Sequence, residues 1–185
     1  MNLPNKLTMF RICMVPVFLV LLCVNLPMSD TAMRIATAVV FAITSLTDMI
    51  DGKIARKYNL ITDFGKFMDP LADKFLVMAA MLGILVRFDD LRPVFVWAAA
   101  IVIFREFAVT SLRLVVAAAW LGKVKTTTQM ICIVAILLEP VILPFPLFTE
   151  MHLLSYITIA AMTIMTVWSG VDYMKAYWPY ITATK

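Results

Sequence analysis

The sequence predicts an all-α integral membrane protein, a bundle of about six transmembrane helices, from its composition, its length and its apolar segments. Hydrophobic residues make up 63% of the 185 residues and charged residues only 15%. Soluble domains are about 45–50% apolar and about 25% charged. Spans of roughly 20 residues leave room for about six helices with short connections. We therefore expect a single transmembrane domain over residues 1–185.

Six apolar segments are the candidate spans, and polar or proline-rich breaks separate them. Proline fixes its own φ and lacks an N–H, so clusters of proline and polar residues end helices. The N-terminal apolar run has no small-x-small cleavage site after it, so we expect it to be retained as the first span. We place the spans at 8–26, 32–56, 67–87, 93–118, 126–147 and 152–176.

The distribution of basic residues predicts the orientation. An even number of spans puts both termini on one side, and 13 of the 16 Lys and Arg residues fall on that side. The other side holds Arg34, Arg87 and Arg92. The positive-inside rule then places both termini on the cytoplasmic side of the cell membrane.

Four aspartates at helical spacing are the main candidate for a functional site. Asp48 and Asp51 are three residues apart near the end of the second span, and Asp69 and Asp73 are four apart near the start of the third. Each pair therefore projects from one helix face. A short connection at 57–66 makes these helices antiparallel neighbours, so all four carboxylates can meet at the cytoplasmic edge. Solvation of a loop is the alternative, but a solvated loop needs no helical spacing.

Four neighbouring carboxylates repel one another unless protons or cations neutralise them. Ligands with only oxygen donors suit Mg²⁺, Mn²⁺ or Ca²⁺, and Mg²⁺ held by carboxylates is typical of phosphate chemistry. Gly52 and Ala55 leave space for a substrate beside the aspartates, and Arg56 offers a bidentate donor for phosphate. Gly65 opens the third helix on the same side.

The complete spacing from Asp48 to Asp73 is D-x2-D-G-x2-A-R-x8-G-x3-D-x3-D. This pattern resembles the signature of the CDP-alcohol phosphotransferase family. The resemblance implies a six-helix membrane fold, usually a homodimer, with its active site at the cytoplasmic face. It also implies transfer of a phosphatidyl group from CDP-diacylglycerol to an alcohol with release of CMP, and no nucleic acid as a partner.

The resemblance assigns expected roles to individual residues. The aspartates Asp48, Asp51, Asp69 and Asp73 would hold two divalent cations, Mg²⁺ or Mn²⁺, and Asp73 would also be the general base. The segment Pro4–Thr8 with Arg11 resembles the N-terminal signature of the family. The CDP moiety would be received by Asn5, Thr8, Gly52, Ala55, Arg56 and Gly65. From the residues alone, Asn5 and Thr8 could equally be helix-capping residues.

The acceptor alcohol is predicted from cations at the same membrane edge. Basic residues suit a phosphate on the acceptor, and the strings REFAVTSLR, GKVKT and SGVDY resemble the phosphatidylglycerophosphate-forming subfamily, whose acceptor is sn-glycerol 3-phosphate. Its candidate phosphate ligands are Arg105, Arg113, Lys123 and Lys125. Alternatively, Lys123 and Lys125 are ordinary loop residues, and Arg105 pairs with Glu106 or with an aspartate of the motif. The stretch 114–122 is shorter than is usual in that subfamily.

Two other functions compete with this prediction. A sibling transferase could use inositol phosphate, serine or another alcohol, and inositol phosphate is also anionic. A divalent-cation transporter could also contain aspartates within the membrane. Transport sites lie near the bilayer midplane, however, and a cation path has no need of Gly52, Ala55 and Arg56.

Overall fold

Six long helices and one single-turn helix form most of the described part of the chain, and none of the described residues forms a strand. The computed structural model describes residues 3–57, 63–112 and 120–182, with the side chains of 5–47, 65, 68–69, 71–72, 74–110 and 120–178. The helices are α1 (Leu3–Cys23), α2 (Asp30–Lys57), α3 (Asp63–Arg87), α4 (Arg92–Leu112), α5 (Trp120–Ile142), α6 (Pro146–Thr149) and α7 (Leu153–Thr182).

The long helices correspond one for one to the predicted spans, but several ends differ. Helix α1 begins at Leu3 instead of residue 8, because Pro4 is tolerated in the first turn of a helix. Helix α5 covers 120–142 instead of 126–147. Pro144 explains its earlier end, since proline disfavours helical backbone in the residue before it.

Helices α3 and α7 are also longer than predicted. Helix α3 begins at Asp63 instead of residue 67, so less of the predicted 57–66 connection is left between α2 and α3. Helix α7 extends to Thr182 instead of residue 176. The predicted end of the fourth span, from residue 113 onwards, lies outside the described residues.

Four of the described helices are long and apolar enough to cross a membrane, in the segments Asn5–Cys23, Arg92–Thr110, Trp120–Ile142 and Leu153–Trp178. Helices α2 and α3 have 28 and 25 residues. At about 1.5 Å per residue they too exceed the roughly 30 Å hydrocarbon core of a bilayer. The prediction of an all-α membrane protein is therefore confirmed.

The long helices alternate in direction, which gives the bundle two ends. We call the end where α1, α3 and α5 begin the motif end, because α3 carries Asp69 and Asp73 there, and we call the opposite end the far end. Helix α1 packs against α2 and α3, and α7 packs against α4 and α5. Contacts of α2 with α5 and of α3 with α4 join the two groups.

The α1–α3 contact depends on a small residue. A Cβ placed on Gly83 of α3 would lie 2.5 Å from Cδ2 of Leu22 on α1, and Leu22 is fully buried. Close approach over small residues is the usual way in which membrane helices gain van der Waals contact. Phe18, one turn before Leu22, packs against Phe41 of α2, with 5.8 Å between the ring centroids.

An ion-pair cluster joins α2 to α3 at the far end. Nε of Arg34 donates a hydrogen bond to Asp30 at 2.6 Å, and Arg87 donates to the other oxygen of Asp30 at 3.1 Å. Partial burial of Asp30 opposes its ionisation, but Arg34 and Arg87 outweigh that effect and hold the pKa of its carboxyl below the ordinary value. Asp30 is therefore an anion at neutral pH and a fixed partner for both arginines.

A buried carboxylate caps helix α7 at the same end. Glu139 of α5 accepts hydrogen bonds from the backbone N–H groups of Leu154 at 2.7 Å and Ser155 at 3.0 Å, and from the Ser155 hydroxyl. The first N–H groups of a helix have no partner within the helix, and the helix dipole favours an anion there. Glu139 therefore satisfies donors that hydrocarbon cannot satisfy.

We predict that Glu139→Ala destabilises the protein, because it leaves the α7 donors buried without an acceptor. The free energy of unfolding should fall by about 3 kcal/mol, measured by denaturation in detergent micelles. Glu150→Ala is the matched control, since Glu150 is an exposed carboxylate in the same α5–α7 connection. It should change stability by less than about 0.5 kcal/mol. Equal losses in both variants would contradict the capping role.

Candidate active site

The buried face of α1 is polar at the motif end and apolar beyond it. Asn5, Thr8 and Arg11 are buried in the first turns, and Val15 and Phe18 continue the same face. Intervals of three or four residues define one face of an α-helix. Helix α1 therefore brings polar groups into the interior of the bundle at the motif end.

Thr8 connects α1 to the aspartate motif. Its hydroxyl donates a hydrogen bond to Oδ1 of Asp69 on α3, with 2.6 Å between the oxygens. Gly65, four residues before Asp69, is buried. The capping interpretation of Asn5 and Thr8 is wrong, because α1 begins at Leu3 and both residues lie inside the helix. Thr8 instead fixes the orientation of a motif carboxylate.

The backbone positions of the remaining motif residues agree with the predicted arrangement. Asp48 and Asp51 lie in the last three turns of α2, and Asp73 lies one turn after Asp69 on α3. The end of α2 and the start of α3 are both at the motif end. Some predicted site residues lie outside the described side chains: Asp48, Asp51, Gly52, Ala55, Arg56 and Asp73. Arg113 lies outside the described residues altogether.

A polar cavity of about 80 Å³ lies at the motif end between α3, α4 and α5. Its lining includes three cationic side chains, Lys74, Arg105 and Lys125, and one carboxylate, Glu106. Arg105 and Lys125 are both buried. A buried cation is costly unless it is paired and hydrogen-bonded. A cavity with more cations than anions in its lining suits an anionic ligand.

Arg105 is held by contacts with two helices. Its guanidinium donates a hydrogen bond to Oγ of Ser169 at 2.5 Å and lies 5.4 Å from the ring centroid of Tyr173, both on α7. On its own helix it lies 3.7 Å from the carboxylate of Glu106. The pairing with Glu106 that the sequence left open is therefore present, and Arg105 also forms part of the cavity wall.

Lys123 and Lys125 have different surroundings. Both lie on α5, which begins at Trp120, so the loop interpretation is wrong. Lys125 is buried and forms a salt bridge with Glu106, whereas Lys123 is exposed and does not line the cavity. Residues two apart on a helix point about 200° apart, so only one of the two can face the bundle interior.

Several residues of this region had no individual role in the sequence prediction. Gln129 is buried, lines the cavity one turn after Lys125, and its Nε2 makes no hydrogen bond to any residue that the structure describes. Lys74 donates a hydrogen bond to Thr110 across the α3–α4 contact. Because Gln129 is four residues after Lys125, helical spacing could have predicted that the two side chains lie on the same face of α5. Only the tertiary fold brings Lys74 to the cavity and Ser169 to the guanidinium of Arg105.

The donor groups of the motif end fit a hard divalent cation. Asp69 presents a carboxylate there, and the other three motif aspartates lie on helix segments at the same end. Carboxylate oxygens suit Mg²⁺ and Mn²⁺. The Thr8 hydrogen bond to one oxygen of Asp69 is the kind of support that orients a metal-ligating carboxylate.

Comparison with known proteins identifies relatives over nearly the whole chain. The sequence is 44% identical to a CDP-diacylglycerol–glycerol-3-phosphate 3-phosphatidyltransferase of Bacillus subtilis, over 96% of this chain and 95% of the relative. A protein of that name from Escherichia coli is 33% identical over 95% of this chain and 94% of its own. A probable phosphatidylglycerophosphate synthase of Mycobacterium tuberculosis is 38% identical over 94% and 80%.

The family signature extends well beyond the aspartate motif. A family model described as CDP-alcohol phosphatidyltransferase matches residues 1–171, which include every residue of the motif and of the polar cavity. The relatives, the helical membrane fold and the Asp48–Asp73 spacing all agree with this match. The chain therefore belongs to the CDP-alcohol phosphatidyltransferase family.

Proposed function

We propose that this chain transfers the phosphatidyl group of CDP-diacylglycerol to the 1-hydroxyl of sn-glycerol 3-phosphate, which gives phosphatidylglycerophosphate and CMP. The names of the relatives support the reaction class. The structural observation that carries the proposal is the polar cavity with three cationic side chains beside the helix of Asp69 and Asp73. Such a cavity suits the phosphate of an acceptor that reacts at the motif aspartates.

In the proposed reaction, the 1-hydroxyl oxygen attacks the phosphorus atom that carries the diacylglycerol. The bond from that phosphorus to the oxygen of CMP breaks, and CMP leaves. Asp73 accepts the proton of the attacking hydroxyl as general base. The residues proposed to receive the CDP moiety are Asn5, Thr8, Gly52, Ala55, Arg56 and Gly65.

We propose that Asp48, Asp51, Asp69 and Asp73 hold two divalent cations, Mg²⁺ or Mn²⁺. When bound, such ions neutralise the charge of a pyrophosphate and stabilise its leaving group. Thr8 keeps Asp69 oriented through its hydrogen bond.

The acceptor is proposed to bind through its phosphate in the polar cavity. Arg105 and Lys125 are the buried cations of that cavity, and Glu106 holds both of them in place. Arg113 is retained as a further candidate, whereas the exposed position of Lys123 does not support direct contact with the acceptor. Gln129 offers an amide donor to the same ligand.

The setting of the reaction is part of the same proposal. The whole chain forms one catalytic domain, embedded in the cell membrane as a homodimer, with both termini and the motif end cytoplasmic. The lipid tails of the donor then stay in the bilayer while its phosphorus reacts at the interface. The positive-inside rule supports this orientation.

Purified protein given CDP-diacylglycerol and Mg²⁺ or Mn²⁺ should release CMP when glycerol 3-phosphate is added. Serine should give little release because it has no phosphate for the cationic cavity to bind. Inositol 1-phosphate should also give little, because the relatives are named for glycerol 3-phosphate. The measurement is CMP released per minute, with chelator-treated protein as the control for metal dependence. CMP release with serine but not with glycerol 3-phosphate would refute the proposed acceptor.

Asp73→Asn should abolish turnover, because an amide cannot accept the hydroxyl proton. We expect a loss of at least about 100-fold in kcat, the usual scale for a general base. Asp90→Asn is the matched control, since Asp90 is an exposed aspartate at the far end. Near-normal kcat in Asp73→Asn would remove the base assignment and leave the metal ligands to be tested separately.

Lys125→Met and Lys123→Met should separate the two lysines of α5. Removal of the buried cation should raise KM for glycerol 3-phosphate at least about tenfold, with a smaller effect on kcat, because the lost contact binds the acceptor phosphate. Removal of the exposed cation should change KM less than about twofold. Steady-state kinetics with varied acceptor measure both values, and equal effects would contradict the proposed cavity.

A further inference from the structure

The polar cavity between α3, α4 and α5 has two layers of different chemistry. Each of the three helices contributes one cation to the layer towards the motif end: Lys74, Arg105 and Lys125. On each helix, lining residues three or four positions farther from the motif end form a second layer, which we call the cavity floor: Val77, Met78, Val102 and Gln129. A rise of 1.5 Å per residue puts the floor about 4.5 to 6 Å deeper than the cations. Ligand atoms that lie deeper than a phosphate on the cations therefore meet this floor.

Gln129 brings an amide to a floor whose other described side chains are apolar. Its side chain is 1% exposed, and its Nε2 makes no hydrogen bond to any residue that the structure describes. A buried donor without a partner is costly, so nearly all such groups in folded proteins have one. Because Gln129 lines the cavity, the partner is something that enters the cavity.

The cavity floor suits a hydroxyl on a carbon chain better than a phosphate. The side chains of Val77, Met78 and Val102 offer no strong hydrogen-bonding group, so a phosphate against them would lose its water without compensation. Carbon atoms lose nothing against such a surface. A hydroxyl both donates and accepts hydrogen bonds, so it can pair with the carboxamide of Gln129 in either orientation of the amide. A ligand with one hydroxyl opposite Gln129 and carbon beside it therefore matches the floor.

We infer that Gln129 determines acceptor specificity by binding the 2-hydroxyl of sn-glycerol 3-phosphate. This inference rests on the proposed function, because it assigns one more group of the same acceptor to a residue of the cavity. The 2-hydroxyl is on the central carbon, between the carbon that carries the phosphate and the carbon that carries the reacting hydroxyl. The phosphate lies against the cations and the 1-hydroxyl is directed to the motif aspartates. The central carbon and its hydroxyl are then the part of the acceptor that the floor contacts.

Three contacts of this kind distinguish the two mirror-image forms of glycerol phosphate. When the phosphate and the reacting hydroxyl keep their places, sn-glycerol 1-phosphate turns its 2-hydroxyl away from the amide and presents a hydrogen atom instead. The amide of Gln129 and the displaced hydroxyl then both lack partners, which weakens binding of that form. A ring with several hydroxyls is disfavoured for the same reason, because most of them would face valine and methionine.

The test compares acceptors on one protein. The probe is 3-hydroxypropyl phosphate, which keeps the phosphate and the reacting hydroxyl of glycerol 3-phosphate and lacks only the 2-hydroxyl. In the wild type, kcat/KM for CMP release should be at least about tenfold higher with glycerol 3-phosphate, because the probe leaves the amide unpaired. In Gln129→Met, a change that nearly conserves side-chain volume, kcat/KM for glycerol 3-phosphate should fall and the preference should drop below about threefold. The preference over sn-glycerol 1-phosphate should decrease in the same variant.

Thr127→Val is the matched control, because Thr127 is an exposed residue of α5 outside the cavity whose hydroxyl donates to the backbone oxygen of Lys123. It should keep the wild-type preference. The preference is a ratio measured on one preparation, so partial unfolding of a variant does not change it. An unchanged preference in Gln129→Met, or equal use of glycerol 3-phosphate and the probe by the wild type, would overturn the inference and leave the proposed function in place. A wild type that releases no CMP with glycerol 3-phosphate would refute the proposed function and the inference with it.

Discussion

Hydrocarbon provides neither hydrogen bonds nor counter-ions, so the polar side chains buried in this bundle need partners from the protein itself. This constraint explains the pairings at both ends. At the far end, the carboxylate of Glu139 accepts the first N–H groups of α7. At the motif end, Thr8 donates to Asp69 across the α1–α3 contact. Each pairing links two helices, so the groups that need partners also define how the helices pack.

The same constraint gives Glu106 a central place at the motif end. Its carboxylate lies against both Arg105 and Lys125, which come from different helices. Ser169 and Tyr173 hold the other side of Arg105 and thereby join α7 to the cluster. The cations are thus kept in position by the protein before any ligand arrives. A pre-positioned cluster loses little freedom when it binds an anion, which favours recognition of a phosphate.

The fold and part of the site could be predicted from the sequence because both depend on local patterns. The lengths of the apolar segments predicted the long helices, and the four-residue interval between Asp69 and Asp73 predicted that both positions lie on one face of α3. Helix ends were less predictable: Pro4 lies inside α1, and α5 begins six residues before the predicted start. Because α5 begins earlier than predicted, Lys123 and Lys125 both lie on it. Residues two apart on a helix point in nearly opposite directions, so only Lys125 faces the bundle interior. The roles proposed for the motif side chains remain predictions.

The sequence by itself determined the membrane class, the long helices seen in the described part of the chain, and the family, since hydropathy and the Asp48–Asp73 spacing are properties of contiguous chain. Only the tertiary structure decided which polar residues share a cavity and which residues form the floor of that cavity. Lys74, Arg105 and Lys125 come from three different helices, and their meeting depends on how those helices are rotated and packed. Rotation and packing follow from contacts between residues far apart in the chain, and no local spacing encodes them.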